Sequence, residues 1–254
     1  MVILKVLTSS VVVLSGFFGA PHTRTEPIGR WQLGIEEKSQ AMSVAHLLVF
    51  APGLNTLTLP VEALAGLPPV TGGRPETVEF RLREDAGTLT FSGQFDGRQG
   101  GGTFSFSPSA PFASELVRRG MRRPTESQLL TLARHQIGLR LLDELDANGY
   151  ETPSIEALIG AGLNSVDARY VLEMAALGFR LKTVEALTSM HTRGADPSYI
   201  RAMAKAGYTA LSATTLMAMA VQGIDAEYAR RMNSKTGRRL TPEELIRVRT
   251  RSER

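Results

Sequence analysis

Residues 180–208 read RLKTVEALTSMHTRGADPSYIRAMAKAGY, and this unit of 29 residues recurs along the second half of the chain. It returns as units 122–150, 151–179, 180–208 and 209–237, followed by a partial unit at 238–254. Matching columns of residue types in successive units are the mark of an internal repeat. A helical repeat domain, whose short units bury their apolar faces against one another, is therefore predicted for residues 112–254.

Each unit carries the signals of two short helices. A serine or threonine before the first apolar run predicts an N-cap, because its oxygen accepts from main-chain N–H groups that have no partner inside the helix. An aspartate does the same for the second helix, and a glycine followed by an aromatic residue predicts the left-handed turn that ends it. The predicted positions are Thr125, Ser154, Thr183, Ser212 and Thr241 for the first cap, Asp167, Asp196 and Asp225 for the second cap, and Gly149, Gly178 and Gly207 for the turn.

The first unit departs from this pattern, because Gly138 stands in the aspartate column. Residues 126–148 are therefore expected to form one long, bent helix in place of two. Tyrosines and methionines also form columns, and Tyr170 and Met174 lie on one helix face. Core packing between stacked units is the main interpretation of these columns, and a ligand groove is the alternative.

Residues 1–20 contain the most apolar stretch of the chain, with Lys5 its only charge. This composition is typical of a signal peptide, and an uncleaved anchor or a strand of the folded domain is the alternative. An exported or membrane-associated protein of the bacterial envelope is expected, or a cytoplasmic one if the segment is a strand.

Between residues 24 and 109 the periodicity changes from helical to alternating, which predicts a small antiparallel β domain with a buried aromatic face, as a sandwich or an open barrel. The glycine-rich residues 96–102 are predicted to form a hairpin turn, and residues 60–67 a single helical turn. The expected fold class is α+β, with the β domain followed by an all-α array. The alternating residues include Trp31, Leu33, Val78, Phe80, Leu82, Leu89, Phe91, Phe95, Phe104 and Phe106.

No catalytic, nucleotide-binding or zinc motif is present in the sequence. The chain has no cysteine, so that thiolate chemistry and disulfides are excluded, and its four histidines have no metal-ligand spacing. We therefore expect no enzyme and no cofactor or metal site; an enzyme whose site is assembled from residues distant in sequence is the remaining alternative. The histidines are His22, His46, His135 and His191.

The C-terminus is basic. Residues 230–254 carry nine Lys or Arg and three Glu, against a net charge of +4 for the whole chain. Such an end can contact phosphate, anionic lipid or an acidic protein surface, and an ordinary solvated end is the alternative. The candidate basic patch consists of Arg230, Arg231, Lys235, Arg238, Arg239, Arg247 and Arg249.

Over roughly residues 29–245, the chain resembles bacterial envelope proteins with a small β domain followed by short helical repeats. The repeats are also similar to those appended to some membrane metallopeptidases of the β-lactam-sensor family, whose zinc motif and multi-span membrane domain are not in this sequence. The resemblance implies a non-enzymatic interaction or scaffolding module that binds a protein partner. It rests on residues 91–95 (FSGQF), 102–108 (GTFSFSP), 178–187 (GFRLKTVEAL) and 196–201 (DPSYIR).

The hairpins are also similar to helix-hairpin-helix units, which present main-chain amides to a nucleic-acid phosphate. Those turns have the form hydrophobic-Gly-hydrophobic-Gly, whereas residues 148–153 (NGYETP) lack the second glycine. Nucleic-acid binding through these hairpins and the basic C-terminus is the alternative function, and it requires a cytoplasmic chain and salt-sensitive binding.

Overall fold

The computed structural model describes residues 26–39, 42–51, 53–69 and 73–251. The predicted signal peptide lies outside these residues. The described chain has an N-terminal antiparallel β domain followed by helices, which confirms the predicted α+β class.

The described strands form one antiparallel sheet in the order β3-β2-β1-β7-β6-β5-β4. Strand β3, which the sequence analysis did not assign, carries alternating buried residues, and a 3₁₀ turn over Val61–Ala63 joins it to β4. The alternating pattern therefore extends one strand further than predicted. The strands are β1 (Gly29–Ser39), β2 (Met42–Phe50), β3 (Leu54–Pro60), β4 (Leu64–Ala65), β5 (Glu76–Glu84), β6 (Gly87–Phe95) and β7 (Gln99–Pro108).

Two aromatic rings show that this sheet is curled. Three strand spacings separate β1 from β5, which amounts to about 14 Å in a flat sheet. The ring centroids of Trp31 on β1 and Phe80 on β5 lie only 5.0 Å apart, at an interplanar angle of 85°. The sheet therefore closes around an aromatic core, to which Phe91 and Phe104 also contribute.

The glycine run belongs to a strand and not to a turn. Only residues 96–98 connect β6 to β7, so the prediction of a turn over residues 96–102 is wrong for residues 99–102, which belong to β7. A Cβ on Gly102 would lie 2.1 Å from the Ser92 carbonyl oxygen of the paired strand. Glycine is therefore required because the main chains approach closely.

Ten helices follow the sheet in the described part of the chain. The first helices of successive units begin 29 residues apart, and so do the second helices. First helices contact first helices and second helices contact second helices, which gives two parallel rows. The helices are α1 (Ala110–Arg118), α2 (Glu126–Arg134), α3 (Leu139–Ala147), α4 (Ile155–Leu163), α5 (Ala168–Ala176), α6 (Val184–Thr192), α7 (Pro197–Lys205), α8 (Ala213–Val221), α9 (Ala226–Thr236) and α10 (Pro242–Arg251).

The first unit contains two helices, so the prediction of one long, bent helix over residues 126–148 is wrong. The break between α2 and α3 coincides with Gln136, which has a left-handed φ of 55°. The equivalent residues Ser165, Gly194 and Gly223 have φ values of 57°, 76° and 62°. The same break therefore recurs in all four complete units.

The sheet shares one core with the first helical units, and the last helices have a second core. Helix α1 begins directly after β7, where the Ser109 hydroxyl accepts from the Phe112 N–H at 3.3 Å. Phe112 and Leu116 are buried, and α2 packs against β6 and β7. Within the described residues, no helix is long and apolar enough to cross a membrane.

Candidate functional site

The predicted repeat positions lie at helix ends. Four hydroxyls, from Thr125, Ser154, Thr183 and Ser212, cap α2, α4, α6 and α8. The Thr241 hydroxyl accepts from the Glu244 N–H of α10 at 3.2 Å. The second helices α5, α7 and α9 are capped by Asp167, Asp196 and Asp225. The turns after the second helices contain Gly149, Gly178 and Gly207, with φ values of 77°, 87° and 91°. These residues shape the array, and the candidate binding surfaces lie elsewhere.

The tyrosine and methionine columns pack between units. Tyr170, Met174 and Met203 are buried in the cores that neighbouring units share. The half-buried Tyr199 donates its hydroxyl hydrogen to the Ile224 carbonyl of the next unit at 2.8 Å. This geometry favours core packing over a ligand groove.

Arg134, the last residue of α2, ties the first unit to the sheet. Arg134 is only 5% exposed. Its guanidinium group donates to the carbonyls of Ala51 at 2.8 Å and Gly53 at 3.1 Å. The Asn55 side-chain amide on β3 donates in return to the Arg134 carbonyl at 2.8 Å. The turn between β2 and β3 is therefore held from both sides.

A second contact supplies the cap that the first unit lacks. Asp85, in the turn between β5 and β6, accepts a hydrogen bond from the Leu139 N–H of α3 at 2.7 Å. A side chain on Gly138 would collide with it, because the ideal Cβ position lies 2.3 Å from the Asp85 carboxylate. The sheet therefore caps α3, and the glycine leaves room for the capping carboxylate.

A cleft with a volume of about 500 Å³ opens beside these contacts. It is bounded by β3, by the β5–β6 turn and by the inter-helix loops of the first two units. Burial raises the pKa of Glu84, and a hydrogen bond from Gln136 opposes this effect. Burial, followed by the positive charge of Arg134, lowers the pKa of His135. The charged or polar side chains of the cleft include Asn55, Glu84, Asp85, His135, Arg140, Asp167 and Arg169.

The cleft belongs to a longer surface of the array. We call residues 134–138, 163–167, 192–196 and 221–225, which join the two helices of each unit, the loop edge. The first residue of the loop edge is the buried Arg134 in the first unit. The equivalent residues are Leu163 in the second unit, which is 60% exposed, and Val221 in the fourth unit, which is 57% exposed. Thr192 of the third unit is also exposed. The position that contacts the sheet in the first unit is thus open in the later units.

The candidate basic patch is largely engaged within the chain. Arg238 forms hydrogen bonds of 2.6 and 2.8 Å with Glu244, and Arg239 donates to the Gly207 carbonyl at 3.0 Å. The guanidinium groups of Arg231 and Arg249 lie 5.4 and 5.3 Å from the ring centroid of Tyr228. Arg230 donates to the Ala226 carbonyl at 3.0 Å. The exposed members of the patch are Arg230, Arg231, Lys235, Arg238, Arg239 and Arg247. Several of these cations therefore contact the last units of the array while their side chains stay exposed to solvent.

The histidines are dispersed. His46 lies 3.2 Å from the Glu36 carboxylate, His191 packs edge-on against Tyr170, and His22 is outside the described residues. Among the residues that the structure describes, no group of three or more His, Asp or Glu side chains could hold a metal ion.

Comparison of the chain with protein-family models, with curated proteins and with solved structures finds no match.

Several residues that shape these surfaces were not singled out from the sequence. The sequence pointed to Asp85 only indirectly. When one unit of a regular array lacks its capping residue, another part of the chain is expected to supply the capping side chain. Arg134 shares its column with Leu163, Thr192 and Val221, and its charge was the signal that sets the first unit apart. Asn55 had no signal beyond its place in an alternating stretch.

Proposed function

We propose that the protein is a non-enzymatic interaction module of the bacterial cell envelope, which binds a protein partner through its helical array. The supporting observation is the exposure of Leu163 and Val221 at equivalent positions of the loop edge. Packed helices lie about 8–10 Å apart, so two units separate these side chains by about 16–20 Å. A helix or a hairpin of a partner is long enough to cover both.

The first unit provides a precedent on the same edge. There, the end of α2 binds the main-chain carbonyls of a β turn. A stacked array repeats such a position at regular intervals and offers an extended surface. The envelope location is supported by the composition of residues 1–20, which lie outside the described residues.

Photo-cross-linking in intact cells tests the partner-binding surface. A photo-reactive phenylalanine analogue is introduced at Leu163, at Val221 or, as a control, at Thr214, which is exposed near the start of α8. We expect the same partner to be captured from Leu163 and Val221 and not from Thr214. The purified partner should then bind the double variant Leu163→Asp/Val221→Asp at least about tenfold more weakly, because two apolar contacts are lost. Equal capture from all three positions, or unchanged binding by the double variant, would refute the proposal.

Cell fractionation and the intact mass of the expressed protein test the location. An envelope protein is expected in the membrane or outside the cytoplasm, either cleaved near residues 15–20 or retained with its first residues. A cytoplasmic chain with Met1 intact would remove the envelope from the proposal and leave the interaction surface to be tested by itself.

A further inference from the structure

The cleft opens beside an edge strand of the sheet. Strand β3 is the last in the strand order and pairs with β2 alone among the described strands. Edge strands are commonly protected by charged side chains, because their free N–H and C=O groups accept another strand. Residues 54–60 read LNTLTLP and carry no charge, and Asn55, Thr56 and Leu57 line the cleft.

The carboxylates of the cleft already have partners within the chain. Asp85 accepts from the Leu139 N–H, Asp167 accepts from the Tyr170 N–H at 2.8 Å, and Glu84 accepts from the Gln136 amide at 3.1 Å. A ligand cation would have to compete with these hydrogen bonds. These hydrogen bonds make Asp85 and Asp167 poor sites for a ligand cation but leave their negative charges in place, so an acidic ligand has to bind at the arginine side chains and away from these carboxylates.

Two arginines of the cleft are more accessible. Arg140 and Arg169 are the second residues of α3 and α5, occupy equivalent positions of successive units, and are exposed. Arg169 shares its charge with Glu173 at 2.9 Å, whereas Arg140 forms no ion pair with any residue that the structure describes. Because α3 packs on α5, their helix axes are about 8–10 Å apart.

We propose that this cleft binds an extended, acidic peptide segment, which adds a strand to β3 and places carboxylates against Arg140 and Arg169. In a strand, side chains on one face recur about every 7 Å, and flexible arginine side chains accommodate the difference from the helix spacing. Main-chain hydrogen bonds to a sheet edge supply affinity, and the side chains supply selectivity. This site goes beyond the apolar contact proposed above, since it uses different residues.

The test measures binding of a synthetic peptide to the full chain by fluorescence anisotropy. The probe is a fluorescein-labelled, C-terminally amidated peptide of about eight residues, the length of an ordinary strand, in which glutamate alternates with threonine and valine. One control peptide has glutamine in place of glutamate, and a second has N-methyl groups on alternate main-chain nitrogens. We expect the glutamine peptide to bind about fivefold more weakly and the N-methylated peptide about tenfold more weakly.

Protein variants locate the site. Arg140→Gln and Arg169→Gln are each expected to weaken binding about threefold, and the effect should diminish at high salt. Arg180→Gln makes the same change of charge at an exposed residue outside the cleft and should leave binding unchanged. Val221→Asp, which perturbs the apolar contact of the proposed function, should also leave it unchanged, so that the two proposals fail separately.

Three results would overturn this proposal. The first is the absence of binding up to about 1 mM peptide, which corresponds to about 4 kcal/mol of binding free energy. The second is an equal loss of peptide affinity for Arg140→Gln and Arg180→Gln. The third is binding of the N-methylated peptide as tight as that of the unmodified peptide.

Discussion

Removal of the Asp85 carboxylate is expected to destabilise the junction between sheet and array. Asp85 accepts from the Leu139 N–H, the first of α3, at 2.7 Å. Asp167 and Asp196 accept instead from the third N–H of their own helices, so Asp85 satisfies a different free N–H of the same helix end. Loss of an N-cap costs about 1 kcal/mol, within a range of about 0.5–2 kcal/mol. For a chain of this size, Asp85→Ala should therefore lower the melting temperature by about 2–4 °C.

The repeat itself suggests how to restore the cap. Gly138 has an extended main chain, with φ −136° and ψ −167°, close to the −109° and −179° of Asp167. Gly138→Asp alone should be destabilising, because its Cβ would lie 2.3 Å from the Asp85 carboxylate. In the double variant Asp85→Ala/Gly138→Asp that collision is removed and the new aspartate can cap α3 from inside the unit. The double variant should be more stable than either single variant.

Urea denaturation of the wild type and the three variants forms a double-mutant cycle. We expect a favourable coupling free energy of at least about 1 kcal/mol, the value of one cap. Asp85→Asn is the matched control, because asparagine is as good an N-cap as aspartate, and it should keep most of the wild-type stability. Additive losses in the double variant would refute the assignment of Asp85 as the cap of α3.

Three further substitutions test other parts of the fold. Gly207→Val and Gly178→Val should lower the melting temperature by similar amounts, because both positions have a left-handed φ and a Cβ at Gly207 would meet only the flexible end of the Arg239 side chain; an unchanged melting temperature would contradict the role of these glycines in the turn. Arg134→Met should reduce the free energy of unfolding by about 2–4 kcal/mol, since buried carbonyls lose their donor, and an unchanged urea midpoint would contradict this role. Burial raises the pKa of Glu84 above its ordinary 4.5, so its deprotonation costs stability as the pH rises through that range. Glu84→Gln should therefore raise the melting temperature at pH 7 but change it little at pH 4, and an equal effect at both pH values would contradict the raised pKa.

The sequence predicted the fold class and the helix ends because each signal is local. A cap involves a side chain and an N–H group three residues away, and the repeat shows the same pair several times. The β5–β6 turn and α3 are different, because Asp85 and Leu139 are 54 residues apart. The glycines of β7 were assigned to a turn for a similar reason, since glycine permits both a turn and a close approach of strands, and only the paired strand distinguishes the two.

The departures of the first unit share one cause. Gly138 replaces the aspartate of its column, and Arg134 is the only charged residue in a column that continues with Leu163, Thr192 and Val221 in the other complete units. Both changes occur where the neighbour is the sheet: one leaves room for Asp85, and the other provides donors for main-chain carbonyls. A unit whose neighbour is another unit needs neither change. The lost aspartate and the buried arginine of the first unit therefore both mark its contact with the sheet, and the sheet edge and the cleft adjoin this unit.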